Sequence, residues 1–239
     1  MKKLLFLLAF FTLGIKFYAQ NDYHDLLELY IDEKYERVLY KAEDYTLKDK
    51  TKKDPLPYLF MSMAYYKISL DEKLLEKFPD AFKSSLKYMS KYCSKDKERQ
   101  YIGDYEDFVD QLRGATIAEA EVFMDTEKYT KSKAYYKYLV DMDPNDAGAV
   151  IMRGLSEEGL RSKKESTSSF ELAKELLVGQ KCSNMTQIQM KLLKQSLIRL
   201  AENLNEQGNK AAAKEWLDLG AQYFQDDKEY QVTYNMIAG

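Results

Sequence analysis

The feature that most constrains this chain is an internal repeat with a period of about 34 residues. In each copy a small residue is followed 16 positions later by a large one, and 3 positions after that by a third residue. The second copy follows the first by one period, and the third follows after one more period and an insertion of 13. A fixed period between about 20 and 50 residues is typical of a solenoid. The copies are Ala120, Tyr136, Leu139; Gly154, Phe170, Ala173; and Ala201, Leu217, Gly220.

The composition predicts that the repeating unit is helical. Of 239 residues, 31% are charged and 45% are hydrophobic, whereas only 10 are glycine and 4 are proline. Few helix breakers and no hairpin dipeptides favour an all-α protein. A repeat array has no internal domain boundary, so the repeats form one domain.

Residues 1–20 are predicted to be a secretory signal peptide. Two lysines precede the apolar run Leu4–Ile15, which is shorter than the roughly 20 residues that span a bilayer. Cleavage is expected after Ala19 or Gln20, which leaves residues 21–239 as a single helical repeat domain. The alternative is that the run is a buried N-terminal helix.

The charge balance narrows the choice of partner. The formal net charge is −3, and removal of Lys2, Lys3 and Lys16 makes the mature chain more acidic. An acidic chain without a basic run is a poor ligand for nucleic acid or an anionic membrane. The charge thus argues against nucleic acid and anionic membranes as partners. Together with the predicted signal peptide, it leads us to expect a soluble protein in the periplasm of a Gram-negative bacterium or secreted from the cell, with no membrane insertion after signal removal.

The periodicity of apolar residues predicts five helix pairs followed by a short C-terminal cap. Pro55 and Pro57 are expected to stop any helix at that point. Asp71–Pro79 is expected to be an irregular insertion, and Asp80 to cap the helix after it. The predicted pairs cover residues 22–48, 58–92, 101–142, 146–178 and 186–224.

Several positions of the repeat follow a recognisable pattern. Small residues lie midway along first helices, and large residues follow three positions later in two copies. Glu157 departs from the pattern, because an acid stands where a large apolar residue is expected. The positions that carry the pattern are Ala120, Gly154, Ala201, Phe123, Leu204, Tyr129 at the start of a second helix, and Pro144 before the next repeat.

This pattern resembles the tetratricopeptide repeat (TPR) family. The resemblance implies a right-handed superhelix, an α-solenoid of about five antiparallel helix pairs, with a concave groove that binds peptides or proteins. It implies no reaction, and it predicts neither a cofactor nor a metal. The expected function is that of a non-catalytic scaffold or adaptor for an envelope-associated protein partner.

The geometry of the family also predicts which residues of the first helices face the groove. In the clearest repeat the core is assigned to Val150, Gly154, Phe170 and Ala173, so Leu155 is expected to be exposed in the free protein. The set lacks the Lys/Asn/Arg clamp with which some relatives hold a C-terminal carboxylate, and it could equally be a solvated helix face. The predicted partner-binding residues are Tyr66, Ile117, Glu121, Met124, Ile151, Leu155, Glu158, Ile198 and Glu202.

Other chemistry has weaker support in the sequence. The single histidine, His24, lies near the mature N-terminus, where a solvated side chain is the simpler interpretation. Cys93 and Cys182 could pair in an oxidising compartment, but two buried thiols are expected, because they lie about two repeats apart. A carboxylate enzyme using Glu119, Glu121 and Glu158 has no support beyond the presence of acids.

Two further patterns leave alternatives open. Asp141, Asp143, Asn145 and Gly148 resemble part of a calcium loop, but Asp146 and Met152 stand where that loop needs Gly and Glu, so capping of the next helix is preferred. The 20 tyrosines, several in adjacent pairs, could stack on a glycan or peptidoglycan fragment. The simpler interpretation is that one tyrosine of each pair packs between helices while the other covers the surface.

Overall fold

The structure, a computed structural model, describes residues 23–179 and 184–239. The predicted signal peptide and Cys182 lie outside this range. The described residues form twelve α-helices and no strand, which confirms the all-α fold class. The helices are α1 (His24–Ile31), α2 (Tyr35–Leu47), α3 (Leu56–Ser69), α4 (Glu72–Lys77), α5 (Ala81–Lys95), α6 (Glu106–Asp125), α7 (Tyr129–Met142), α8 (Ala147–Gly159), α9 (Lys163–Val178), α10 (Gln187–Glu206), α11 (Lys210–Phe224) and α12 (Lys228–Ala238).

The helices pack as an α-solenoid of antiparallel pairs. The pairs are α1–α2, α3–α5, α6–α7, α8–α9 and α10–α11, and α12 packs on the last of them. The first helices α3 and α8 are buried on most of their surface, whereas the second helices are buried along one face. Within the described residues, no helix has the length and apolar character needed to cross a membrane.

The turns inside the pairs repeat with the same period as the sequence. Glu127, Arg161 and Gly208 occupy the left-handed backbone region, with φ of 55°, 58° and 79°. They stand in corresponding turns of three pairs, separated by one period of the repeat and then by one period plus the insertion. Gly208 adopts this conformation without steric cost, because glycine has no Cβ. Glu127 and Arg161 adopt the same backbone conformation in the other two turns, although residues with a side chain rarely do so.

Three local predictions near the second pair were wrong. Pro57 does not stop the helix, because α3 begins at Leu56 and proline is tolerated in a first turn, where its missing N–H would have no partner. The predicted irregular insertion contains the short helix α4, capped by Asp71, which accepts hydrogen bonds from the backbone of Lys73 and Leu74. Asp80 precedes α5 as expected but makes no capping hydrogen bond.

Candidate functional site

The first helices α6, α8 and α10 meet in one bundle. Asp110 accepts a hydrogen bond from Thr186 at 3.3 Å near the start of α6 and α10, and Asp125 accepts one from Arg199 at 2.8 Å near their ends. The two helices therefore run parallel and touch, although a whole pair separates them along the chain. In a regular solenoid each unit contacts only its neighbours, and the contact between α6 and α10 departs from that rule.

The face of α8 that was predicted to bind a partner is buried. Ile151 is 0% exposed and Leu155 is 7% exposed, on a helix that packs against α7, α9 and α10. The expectation that Leu155 is exposed in the free protein is therefore wrong. Tyr66 is also buried, but in another place, between the rings of Phe82 and Phe108.

The remaining predicted residues differ in their exposure. Ile117 and Met124 on α6 are buried, Glu121, Glu158 and Ile198 are partly buried, and Glu202 is exposed. Burial raises the pKa of Glu121, and nearby Asp125 adds to that rise.

Four of the predicted residues meet at the C-terminal ends of the three helices. They line a cleft of about 360 Å³, called the C-terminal cleft below. The other five predicted residues do not line it: Tyr66, Ile117, Glu121, Ile151 and Ile198. The lining residues are Met124, Tyr129, Leu155, Glu158, Gly159, Arg199, Glu202, Asn203, Glu206 and Gln207.

The C-terminal cleft combines an apolar floor with an acidic rim. Met124 and Leu155 supply buried apolar surface. Glu158 accepts hydrogen bonds from Asn203 at 3.0 Å and Gln207 at 3.2 Å, which fix its carboxylate at the mouth. The carboxylates of Glu202 and Glu206 have no hydrogen bond or ion pair within the described ranges. Such a cleft can accept a long cationic side chain, with its aliphatic stem on the floor and its charge at the rim.

A second cavity, of about 340 Å³, lies at the N-terminal ends of the same helices and is called the polar cavity below. Arg113 lines it and is only 2% exposed. Its Nη1 donates to Asp110, whereas its Nε is buried without a hydrogen-bond partner in the part of the chain described. The cavity walls also include Arg99, Glu106, Asp143 and Gln189.

A buried hydrogen-bond network stands behind the polar cavity. Asp146 is fully buried and caps α8 by accepting the backbone N–H of Ala149 at 2.9 Å. The side-chain amide of Gln189 donates to Asp143 at 2.8 Å and to Asp146 at 3.3 Å. Burial raises the pKa of Asp146 to about 6, while the hydrogen bonds and Arg113 oppose that rise.

The Asp-Pro turn therefore has a capping role. Asp143 accepts the backbone N–H of Asn145 at 3.1 Å, and Asp146 is the residue that caps the helix. Asp141 points elsewhere, to Ser90 on α5 and Lys137 on α7. No group of three or more His, Cys, Asp or Glu side chains within residues 23–179 and 184–239 is arranged to hold a metal ion.

The tyrosine pairs pack as the simpler interpretation predicted. Tyr66 and Tyr136 are buried, whereas their neighbours Tyr65 and Tyr135 are partly exposed. Cys93 is a free thiol, and burial raises its pKa to about 11, so it is protonated at neutral pH.

Two polar residues at core positions of the sequence point to the polar cavity, although the periodicity of apolar residues does not reveal it. Arg113 lies four residues after Val109 and four before Ile117, so it occupies a core position on the apolar stripe of α6. On α10, Gln189 likewise lies at a core position, four residues before the buried Leu193. A polar residue at a core position needs buried partners, and that requirement identifies both residues.

Comparison with known proteins adds little to this description. No protein-family model matches the chain, and no curated protein matches it. A solved structure described as the TPR2AB-domain:pHSP90 complex of yeast Sti1 is similar over 90% of this chain and 96% of that chain. The identity is 13% and the TM-score is 0.35, so this similarity supports no conclusion about function.

Proposed function

We propose that this protein is a non-catalytic scaffold, exported to the bacterial periplasm or secreted, that binds a protein partner. The observation that carries the proposal is the C-terminal cleft, in which an apolar floor adjoins carboxylates that have no partner within the chain as described. The partner contributes a basic segment, and one Lys or Arg side chain enters the cleft.

The chemistry of the cleft favours this partner over an acidic one. Arg199 is the only cationic side chain among the lining residues, and Asp125 pairs with it. Glu202 and Glu206 therefore leave an excess of negative charge at the mouth. An ion pair with Glu158, the partly buried carboxylate of the rim, is stronger than one on an open surface.

The proposed export rests on the sequence alone. The apolar run Leu4–Ile15 has the length of the apolar region of a signal peptide and is too short for a membrane anchor. N-terminal sequencing of protein purified from the periplasm or the culture medium should begin after Ala19 or Gln20. An intact Met1 in that material would contradict export by cleavage.

The cleft is tested by reversing its charge. Glu202→Lys/Glu206→Lys changes two exposed rim residues and should leave the fold intact. A photo-crosslinking amino acid introduced at Gln207, beside the rim, should capture a protein in intact cells, and the reversed variant should lose that adduct. The matched control is Glu171→Lys/Glu175→Lys, which makes the same charge change on the exposed face of α9.

A defined probe makes the test independent of the natural partner. A fluorescent peptide of alternating leucine and lysine should bind the wild type, and binding should weaken as salt screens the charges. We expect roughly tenfold weaker binding, or about 1.4 kcal/mol, for the rim variant and no change for the control. Equal binding by both variants would remove the cleft from the proposal.

A further inference from the structure

Helix α5 carries an unusual arrangement of charge. Lys83, Lys87, Lys91 and Lys95 recur at every fourth position, and α5 contains no Asp or Glu. This set is called the lysine stripe. Side chains four residues apart lie on the same face of a helix, and like charges at that spacing destabilise it. Burial lowers the pKa of Lys91, and the positive charges of Lys87 and Lys95 lower it further.

The other long second helices neutralise at least some of their lysines, whereas α5 does not. Within the described ranges, the lysine stripe makes no ion pair with a carboxylate. The pairs on the other second helices are Lys41–Asp25 at 2.7 Å on α2, Lys137–Asp141 at 2.8 Å on α7, Lys174–Glu215 at 2.6 Å on α9 and Lys214–Asp218 at 2.7 Å on α11.

Aromatic rings hold part of the lysine stripe in place. The Nζ atoms of Lys87 and Lys91 lie 6.0 and 4.9 Å from the centre of the Tyr88 ring. Tyr88 in turn stacks on Tyr65, with ring centres 5.5 Å apart and planes at 6°. Lys95 lies 4.7 Å from the centre of the Tyr58 ring. These contacts restrict the ammonium groups without neutralising them.

The acids on the neighbouring helices leave the stripe without a counter-charge. On α7, Asp141 is occupied by Lys137 and by the hydroxyl of Ser90. On α2, Glu43 is close enough to Tyr65 and Tyr88 to add to the burial that raises their pKa values, but it forms no ion pair with the stripe. An otherwise acidic protein therefore presents one concentrated cationic surface.

We propose that the lysine stripe docks an acidic helical segment of a protein partner. Lys83 to Lys95 spans about 18 Å along α5, and a partner helix with Asp or Glu at every fourth position matches that spacing. A membrane surface fits less well, because none of the large apolar side chains exposed in the described residues lies on α5 to insert into lipid. The stripe is separate from the C-terminal cleft, and the two surfaces take segments of opposite charge.

The probe is a capped, alanine-rich peptide of about 20 residues with glutamate at every fourth position, long enough to be partly helical. Fluorescence anisotropy should detect binding at low salt and a loss of binding toward about 0.15 M salt. Lys87→Glu/Lys91→Glu should weaken binding at least roughly tenfold. Lys163→Glu/Lys164→Glu on α9 makes the same charge change at exposed lysines and should bind like the wild type.

The possible outcomes separate this proposal from its competitors and from the proposed function. Absence of probe binding at low salt, or equal loss in both lysine variants, would overturn the docking surface. Binding to vesicles with about one-third phosphatidylserine that exceeds binding to the probe, and that the stripe variant loses, would reassign the surface to lipid. Unchanged probe binding by Glu202→Lys/Glu206→Lys would support a stripe that acts independently of the C-terminal cleft. Circular dichroism of every variant checks that the fold is retained.

Discussion

The helix pairs α3–α5 and α8–α9 both lie inside the stack, but they make close contact by different means. The pair α3–α5 fills its interface with aromatic side chains, Tyr65 against Tyr88 and Tyr66 against Phe82, and Ser62 and Ser85 exchange hydrogen bonds across it. Helix α8 instead approaches its neighbours through glycines. The α3–α5 interface is therefore stabilised by contacts between side chains. The close approach of α8 to its neighbours instead requires that its glycines have no side chain.

The strongest test of this difference is Gly148→Ala at the contact between α8 and α10. A Cβ at Gly148 would lie 2.8 Å from the backbone nitrogen of Leu193, and a backbone atom cannot rotate away as a side chain can. We expect a loss of about 3 kcal/mol in the free energy of unfolding, although alanine is the better helix former. Chemical denaturation measures the loss.

Gly114→Ala on α6 is the matched control for that substitution. Its Cβ would lie 3.8 Å from the Ile188 side chain, which is ordinary contact. Alanine should raise the free energy of unfolding by up to about 1 kcal/mol through helix propensity alone. If both substitutions change stability in the same direction, the backbone contact at Gly148 does not determine packing in this region.

The starts of the two first helices give a pH-dependent test. Helix α3 begins after Pro55 without a side-chain cap, whereas α8 is capped by the buried Asp146. The pKa of Asp146 is raised to about 6 in the folded protein, so the folded protein holds a proton there that the unfolded chain releases near pH 4. The stability that this proton contributes is present below pH 4 and is lost as the pH rises through 6.

The expected size of this effect is up to about 3 kcal/mol, because one pKa unit corresponds to about 1.4 kcal/mol. Asp146→Asn serves as the reference, since asparagine keeps an acceptor for the N–H of Ala149 and does not titrate. The stability of the wild type relative to this variant should fall between pH 4 and pH 6 and stay level above pH 7. A constant difference over that range would show that Asp146 has an ordinary pKa.

A smaller effect is expected at Gly154, where the neighbour is a side chain. A Cβ there would lie 2.7 Å from Cε1 of Phe170, and this ring can shift because it is only partly buried. Gly154→Ala should cost about 1–2 kcal/mol. In the background of Phe170→Leu, which vacates the space, the same substitution should cost less than half as much. Equal costs in both backgrounds would place the contact elsewhere.

The sequence predicted the contact at Gly154 because the repeat itself carries that information. Gly154 and Phe170 stand at recurring positions of the repeat, and their spacing places them on facing helices. The contact between α6 and α10 has no such signature, because it joins two helices that a whole pair separates along the chain. The burial of Ile151 and Leu155, which the family geometry places on an open groove, has no signature in the repeat either.

The buried polar residues show a second limit of predicting structure from the periodicity of the sequence. Glu157 departs from the repeat pattern, and the structure buries its carboxylate, which accepts a hydrogen bond from Ser169 at 2.6 Å and lies 3.6 Å from Lys133. Lys133 comes from α7 and Ser169 from α9, so the partners are distant in sequence. Periodicity predicts which face of a helix is buried, but it does not predict which polar groups meet there.

The smallest expected effect belongs to the serine contact of α3–α5. The Ser62 hydroxyl donates to the Ser85 carbonyl at 2.9 Å, and the Ser85 hydroxyl donates to the Ser62 carbonyl at 2.8 Å. Ser62→Ala keeps the volume nearly constant and removes one hydrogen bond, so we expect a loss of about 1 kcal/mol. Ser94→Ala, on the exposed side of α5, should change the free energy of unfolding by less than about 0.5 kcal/mol.

The double variant Ser62→Ala/Ser85→Ala sharpens the contrast with α8. Because each carbonyl also lies within a helix and can accept a second bond, losing both hydroxyls leaves little unsatisfied, and the combined cost should be no more than the sum of the single costs. We thus expect small changes at this interface to be tolerated and one added methyl group at Gly148 not to be tolerated. A double-variant loss above about 3 kcal/mol would mean that the serine contact determines how closely α3 and α5 approach, as the glycine does for α8 and α10.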